Sequence, residues 1–227
     1  MQGNVWPGYV LHSHAYKEQQ LLLQLLLPEL GRVSAVVRKS SGKTKSRLSW
    51  QPFQLLQLQL TGRSELKTVS FAEEAEPALP LQGELLFAGL YLNELICRLW
   101  PGQTNSEQLF GLYHHTLQLL PVQALEPCLR QFEFALLAEL GSPLDWQQDA
   151  SGAELKPGQY YQWWPELGWQ QAHSGWLGAD LLAIGQADWQ AQSLKAAKSL
   201  SRALLAPLLG SKPLTSRTLF QQLKDNG

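Results

Sequence analysis

The first seventy or so residues change their hydrophobic pattern every eight to twelve positions, and this rhythm limits the possible folds more than any other feature of the chain. Leu56, Leu58 and Leu60 alternate with Gln57 and Gln59, as in an antiparallel strand with one face buried. Val33, Ala35 and Val37 alternate beside Arg32, Ser34 and Arg38. Leu21 to Leu27 is nearly continuous leucine, so its period cannot separate a strand from a short helix; its length, closed by the turn from Pro28 to Gly31, favours a strand. A first run closes at Val10 and Leu11, and a last one passes through Leu66, Thr68 and Phe71 after the turn Thr61-Gly62-Arg63. Five short strands with one long charged loop suit a small closed barrel of the oligonucleotide/oligosaccharide-binding (OB) type, whose loops and one face grip single strands.

After Pro77 and Pro80 the period becomes helical, which predicts a domain boundary: an OB-fold DNA-binding domain over 1–78 and a mainly helical domain over 79–227. Leu81, Leu85, Leu92, Leu95, Ile96 and Leu99 mark one face of a helix ending before Pro101-Gly102. A second helix is expected from a cap at Asn105 or Ser106 to Leu120, and a third from Glu126 to Leu140, closed by Gly141. Residues 142–178 mix Tyr160, Tyr161, Trp163, Trp164, Trp169 and Trp176 with Gly and Pro, which points to a small irregular hairpin insert. A helix with Leu194, Ala197, Leu200, Leu204 and Leu208 on one face follows from about Ala191 to Leu209, then a short one after Lys212-Pro213. The class is α+β.

Charge is segregated although the formal net charge is only −1. Arg32, Arg38, Lys39, Lys43, Lys45 and Arg47 crowd one loop-prone stretch that contains no acid, while the acids concentrate between Leu79 and Gln190. Lys195, Lys198, Arg202, Lys212, Arg217 and Lys224 make the far end basic again. Clustered cations repel one another, and a polyanion relieves that repulsion by giving up its condensed counterions. The first six residues are therefore DNA-contact candidates, with Lys212 and Arg217 as a second, weaker contact; binding through phosphates is expected to be indifferent to sequence and steeply salt dependent. Trp50 lies close enough to the loop to stack on a base, whereas Phe53 reads as core.

Cys97 and Cys128 sit in apolar helical patterns and read as reduced core thiols. Met1 to Gly8 has no basic region followed by an apolar run, and Gln, Pro or Glu breaks each leucine-rich stretch before membrane-spanning length. A soluble cytoplasmic protein without a membrane partner is expected.

Several segments, in order along the chain, resemble the RecO family of bacterial recombination mediators. They are Tyr9-Val10-Leu11-His12-Ser13, Glu18, Glu29-Leu30-Gly31, Gln51-Pro52-Phe53, Gly62-Arg63, Glu65-Leu66-Lys67-Thr68, Gly89-Leu90-Tyr91-Leu92-Asn93-Glu94-Leu95, Leu109-Phe110, Leu129-Arg130-Gln131-Phe132-Glu133, and Gly210 to Arg217. The resemblance implies an OB barrel on a helical body, no enzymatic turnover, binding of single- and double-stranded DNA, and annealing of complementary strands. It also implies partners: the C-terminal tail of single-stranded DNA-binding protein, RecR and, functionally, RecA, in a bacterial cytoplasm and at the nucleoid during repair. By position it places Arg130 and Phe132 in the tail-docking pocket, where an arginine would pair with a terminal carboxylate. From the residues alone, Arg130 could equally pair with Glu126 or Glu133 at helical spacing.

Many members of that family bind zinc through four cysteines in the C-terminal insert. The stretch from Leu144 to Leu177 has none, and His173 is alone there, so no metal and no cofactor are expected. Two other function classes remain: a non-catalytic OB scaffold that binds protein, and a metal-dependent hydrolase. The hydrolase would have to use His12 with His14, adjacent His114 and His115, or Asp145 with Asp149, and none of these comes with a third ligand at a recognisable spacing. No phosphate-binding Gly-Lys-Ser/Thr loop or nucleophile elbow is present.

Overall fold

The computed structural model of the chain describes residues 4–39, 48 and 50–225, the last three of these by backbone alone. Five strands, β1 (Trp6–Tyr16), β2 (Gln20–Leu27), β3 (Gly31–Arg38), β4 (Leu55–Thr61) and β5 (Lys67–Glu74), close into a barrel in the order β1-β2-β3-β5-β4. All pairings are antiparallel except β3 with β5, which runs parallel at Ala35 and Val36. Closure removes the free strand edges that a sheet of this size would otherwise expose. The expected five-stranded OB-type barrel followed by a helical part with a small hairpin sheet is what the chain adopts.

Alternation explains the interior. Val10, Leu23, Leu25, Leu27, Val33, Ala35, Leu56 and Leu58 fill the barrel core, each on the inward parity of its strand. β1 runs to Tyr16, well past the apolar run that ends at Leu11, because its polar half pairs with Leu21 to Leu23 through Ser13 to Ala15. An irregularity between Val10 and His12 shifts the register, so that His12, His14 and Tyr16 all face outward.

The helices are α1 (Gly83–Leu99), α2 (Glu107–Leu119), α3 (Leu125–Glu139), α4 (Gly178–Gly185), α5 (Ala191–Leu209) and α6 (Thr215–Asp225). The chain divides into two compact units, 1–123 with 213–227 and 124–212. In the first, α1 carries a buried Asn93 whose amide donates to the Leu11 carbonyl at 2.9 Å, and the Tyr113 hydroxyl donates to Asn93 Oδ1 at 2.5 Å. Ser106 precedes α2 as expected, but its hydroxyl donates to the Leu27 carbonyl instead of capping the helix. Gly31 has a φ of +70°, and a Cβ there would stand 2.0 Å from the Thr104 carbonyl oxygen, so only glycine lets the α1–α2 loop lie against β3.

The second unit is built around tryptophan. β6 (Tyr160–Trp164), β7 (Gly168–Ala172) and β8 (Trp176–Leu177) form a three-stranded sheet in the order β7-β6-β8. Tyr161, Trp163, Trp169 and Trp176 share its inner side and pack with Leu155, Leu181 and Leu200. Trp169 meets Trp163 edge-on with ring centroids 5.1 Å apart, and its indole N–H donates to the Asp145 carbonyl at 2.6 Å. On α5 the buried apolar line runs through Ala197, Leu200 and Leu205, while Leu208 is 51% exposed; Pro207 sits inside the helix and Gly210 closes it at a φ of +66°.

Candidate nucleic-acid interface

The register of the barrel lines up side chains on its outer face. Tyr16 stands opposite Gln20 and Gln20 opposite Arg38; His14 opposite Leu22 and Leu22 opposite Val36; His12 opposite Gln24 and Gln24 opposite Ser34; Leu26 stands opposite Arg32. None of these rows contains an Asp or Glu, although carboxylates outnumber Lys and Arg by 19 to 18 in the whole chain. An acid-free, cation-bearing sheet face of a five-stranded barrel is suited to a polyanion.

Arg32 is the most constrained of these cations. Its Nε donates to the Trp100 carbonyl at 3.2 Å and its Nη1 to Gln24 Oε1 at 3.1 Å, while Gln24 Nε2 donates to Ser34 Oγ at 2.9 Å. The Gln103 N–H donates to the Arg32 carbonyl at 3.2 Å, so the same residue ties the α1–α2 loop to the barrel. The guanidinium borders an open groove of about 530 Å³ lined by Leu22, Ser34, Gly102, Gln103 and the β4–β5 loop residues Glu65 and Leu66. Arg32 thus has a structural task as well as a place on the face.

Arg38 and Lys39 end β3 and are exposed, with the Lys39 N–H held by the Gln19 carbonyl at 2.9 Å. Arg38 shares a second groove with Lys17, Glu18, Gln19 and Gln20. Lys17 was not singled out by the sequence, yet the β1–β2 turn brings it beside Arg38, with its ammonium 5.4 Å from the Tyr16 ring centroid. Its position became informative only once the turn was known. Lys43, Lys45 and Arg47 lie outside the described residues. Trp50 is half-buried and packs with Leu48 against the barrel core, and Phe53 is buried at a φ of +70°.

The other residues chosen from the sequence belong to other elements. Arg217 on α6 stands over the Tyr91 ring at 5.4 Å and donates to its hydroxyl at 3.3 Å. Lys212 is exposed at the end of the second unit. Arg130 is buried on α3, where Nη2 meets Glu133 Oε1 at 2.7 Å and Nη1 donates to the Ser201 hydroxyl at 2.9 Å. Phe132 is fully buried. Of the two pairings open to Arg130 at helical spacing, the one with Glu133 forms, and Glu126 pairs with Lys198.

The side chains considered for metal or catalysis have local partners. Asp145 accepts from the N–H groups of Gln147 and Gln148, and Asp149 from Ser151 and Ala153, as turn-forming carboxylates do. Hydrogen bonds from the Ser151 side chain and backbone hold the Asp149 carboxyl below its ordinary range. His114 Nδ1 is 2.7 Å from the Tyr9 hydroxyl, whose own titration burial pushes far up. Cys97 on α1 and Cys128 on α3 are not joined in a disulfide, and burial raises Cys97 to about 11. Among the described residues no three His, Cys, Asp or Glu side chains are grouped to hold a metal ion, and aromatic rings occupy the interior of the insert, so these residues do not fit the family's zinc site. No helix of the described residues is long and apolar enough to cross a membrane.

A closed 1-2-3-5-4 barrel joined to helices defines an OB-fold protein. Residues 1–78 match the family described as recombination protein O N terminal, and residues 80–175 the one described as recombination protein O C terminal. The chain is 44% identical to the DNA repair protein RecO of Stutzerimonas stutzeri A1501, over 97% of this chain and 94% of that protein. It is 43% identical to the DNA repair protein RecO of Pseudomonas putida W619, over 95% and 96% of the two chains. With the RecO of Pseudomonas aeruginosa LESB58 the identity is 42%, over 96% and 95%. The chain belongs to the RecO family of DNA repair proteins.

Proposed function

We propose that this protein is a non-enzymatic recombination mediator. It binds single- and double-stranded DNA without marked sequence preference and anneals complementary strands coated with single-stranded DNA-binding protein. With RecR it assists RecA loading in gap and break repair, in the cytoplasm and at the nucleoid. The observation that carries the reading is that β1, β2 and β3 contain no Asp or Glu and that β3 leads through Arg38 and Lys39 into the basic stretch of the sequence. Annealing requires two phosphate backbones to be held close together, and a row of cations screens their repulsion without any covalent step. DNA contact is assigned to the barrel of residues 1–78, with Lys212 and Arg217 as a second, weaker contact, and docking of the single-stranded DNA-binding protein tail to Arg130 and Phe132 in the helical part over 79–227. That docking rests on the family resemblance, since in this chain Arg130 would have to exchange Glu133 for the incoming carboxylate.

The test is annealing of complementary oligonucleotides precoated with the cognate single-stranded DNA-binding protein, without nucleotide, comparing wild type with a folded variant neutralised at Lys39, Lys43, Lys45 and Arg47. Wild type is expected to accelerate annealing and to bind DNA with a steep loss of affinity as salt rises, while the variant does neither. Inactive wild type with no salt-dependent DNA affinity would leave the barrel as a protein-binding scaffold.

A further inference from the structure

His12 and His14 are two residues apart on β1, so both project from the outer side of the barrel. Their rings are 5.6 Å apart and tilted by 34°, and both side chains are exposed. With Tyr16 they form a line about 13 Å long, since alternate strand residues are about 6.7 Å apart. Such a line can follow a nucleic-acid backbone past more than one phosphate.

Their surroundings determine how they respond to a proton. Across the sheet they face Gln24 and Leu22 on β2, then Ser34 and Val36 on β3. Among the described residues the charged groups at this face are Arg32 and Arg38 of β3, Lys17 and Glu18 in the β1–β2 turn, and Glu65 of the β4–β5 loop, which shares a groove with Leu22, Arg32 and Ser34. Of the helices near β1, α1 presents the Asn93 amide to the Leu11 carbonyl, and α2 presents His114 to Tyr9. A proton added to either imidazole joins a face that carries the cations Arg32, Arg38 and Lys17 beside the carboxylates Glu18 and Glu65, and it meets the other histidine if that is also charged. An anionic backbone laid across the face favours that proton, because an opposite charge nearby favours the protonated ring. Imidazole is also the side chain that changes charge between about pH 5 and 8.

We infer that His12 and His14 are phosphate contacts of the barrel face, so that nucleic acid binds there with uptake of protons. The inference rests on the DNA-binding reading above and adds two residues and a linkage to it. Binding and protonation are reciprocal: if the backbone favours the charged rings, lowering the pH must tighten the complex by the same coupling.

The experiment measures affinity for labelled oligothymidylate, whose bases do not titrate over the range, at fixed ionic strength from about pH 6 to about pH 8.5. Wild type is expected to bind roughly fivefold or more tightly at the acid end. His12→Gln with His14→Gln should bind with little dependence on pH. His12→Lys with His14→Lys should keep the tight affinity at both ends. His114, His115 and His173 are present in every variant, so differences between variants belong to the pair. Flat, tight binding by wild type, or an unchanged pH profile in the glutamine variant, overturns the inference and leaves the DNA-binding reading intact. Absence of binding by wild type at every pH removes both.

Discussion

Arg130 and Glu133 lie one turn apart on α3, and with both buried each depends on the other's charge. Removing a charge from water costs several kcal/mol, which only close geometry and further hydrogen bonds offset; here the 2.7 Å contact and the Ser201 hydroxyl supply them. Arg130→Ala is therefore expected to lower stability by about 3 to 5 kcal/mol, read as an earlier midpoint in chemical denaturation. Arg130→Met combined with Glu133→Met should cost less than the single change, because no uncompensated charge is left behind; an equal loss would show that the pair is not the energetic unit. The folded double variant is also the one to mix with a peptide ending in the acidic tail of single-stranded DNA-binding protein. Loss of that binding with DNA affinity retained supports docking at Arg130, and unchanged peptide affinity refutes it. The three-residue spacing to Glu133 was legible in the sequence, but the burial that turns it into a structural pair was not. The same limit applied to Lys17, which only the β1–β2 turn brings to Arg38.

Elements with a strong periodic signal are the ones the sequence placed well. α5 spans the expected Ala191–Leu209, and the change from strands to helices falls between Glu74 and Gly83, across Pro77 and Pro80. α4 was missed, because eight residues framed by Gly178 and Gly185 carry too few turns to show a period beside the tryptophan-rich hairpin. α6 was expected as a short helix, but what holds it is a tertiary contact: Glu94 on α1 accepts the N–H groups of Thr215 and Ser216, both at 2.9 Å, and the Ser216 hydroxyl at 2.6 Å. Burial pushes the Glu94 carboxyl up, but the hydrogen bonds from Ser216 and Thr215, with Arg98 nearby, outweigh it and leave its pKa below the ordinary value. A lowered folded-state pKa means the stabilisation is complete above the unfolded value, about 4.3, and is lost as pH falls through the folded one. Glu94→Gln is thus expected to cost about 1 kcal/mol at neutral pH. That difference from wild type should shrink below about pH 4, as denaturation curves collected across pH would reveal. A difference that persists unchanged in acid would mean the cap does not depend on the carboxylate charge.

For the whole molecule, the charge pattern was legible and its spatial meaning was not. Basic, acidic and basic stretches suggested that the N-terminal module and the C-terminal segment serve one polyanion, but nothing in the sequence says which unit the last residues join. The contacts answer that: 213–227 belong with 1–123, and 124–212 form a unit inserted between them in the chain. The terminal segment is held on α1 by the Glu94 cap, by Arg217 over Tyr91, by the Phe87–Phe220 ring contact at 6.3 Å and by Arg98 donating to the Pro213 carbonyl at 3.1 Å. Cutting the chain before Pro213 therefore removes a helix from the barrel's unit, although the cut lies far from the barrel in sequence. Amide hydrogen exchange on such a truncated protein is expected to accelerate over Gly83–Leu99, where α1 loses its partner, and to stay near wild type in α3 and α5, whose mutual packing lies within the other unit. Faster exchange in α3 and α5 with α1 unaffected would assign the terminal segment to the wrong unit. DNA affinity measured on the same protein then separates two roles for the basic terminus: weakening beyond what the loosened α1 explains points to direct contact by residues such as Arg217, whereas unchanged affinity leaves α6 as a clamp on α1 and the barrel face, with its loop, as the surface that meets the phosphates.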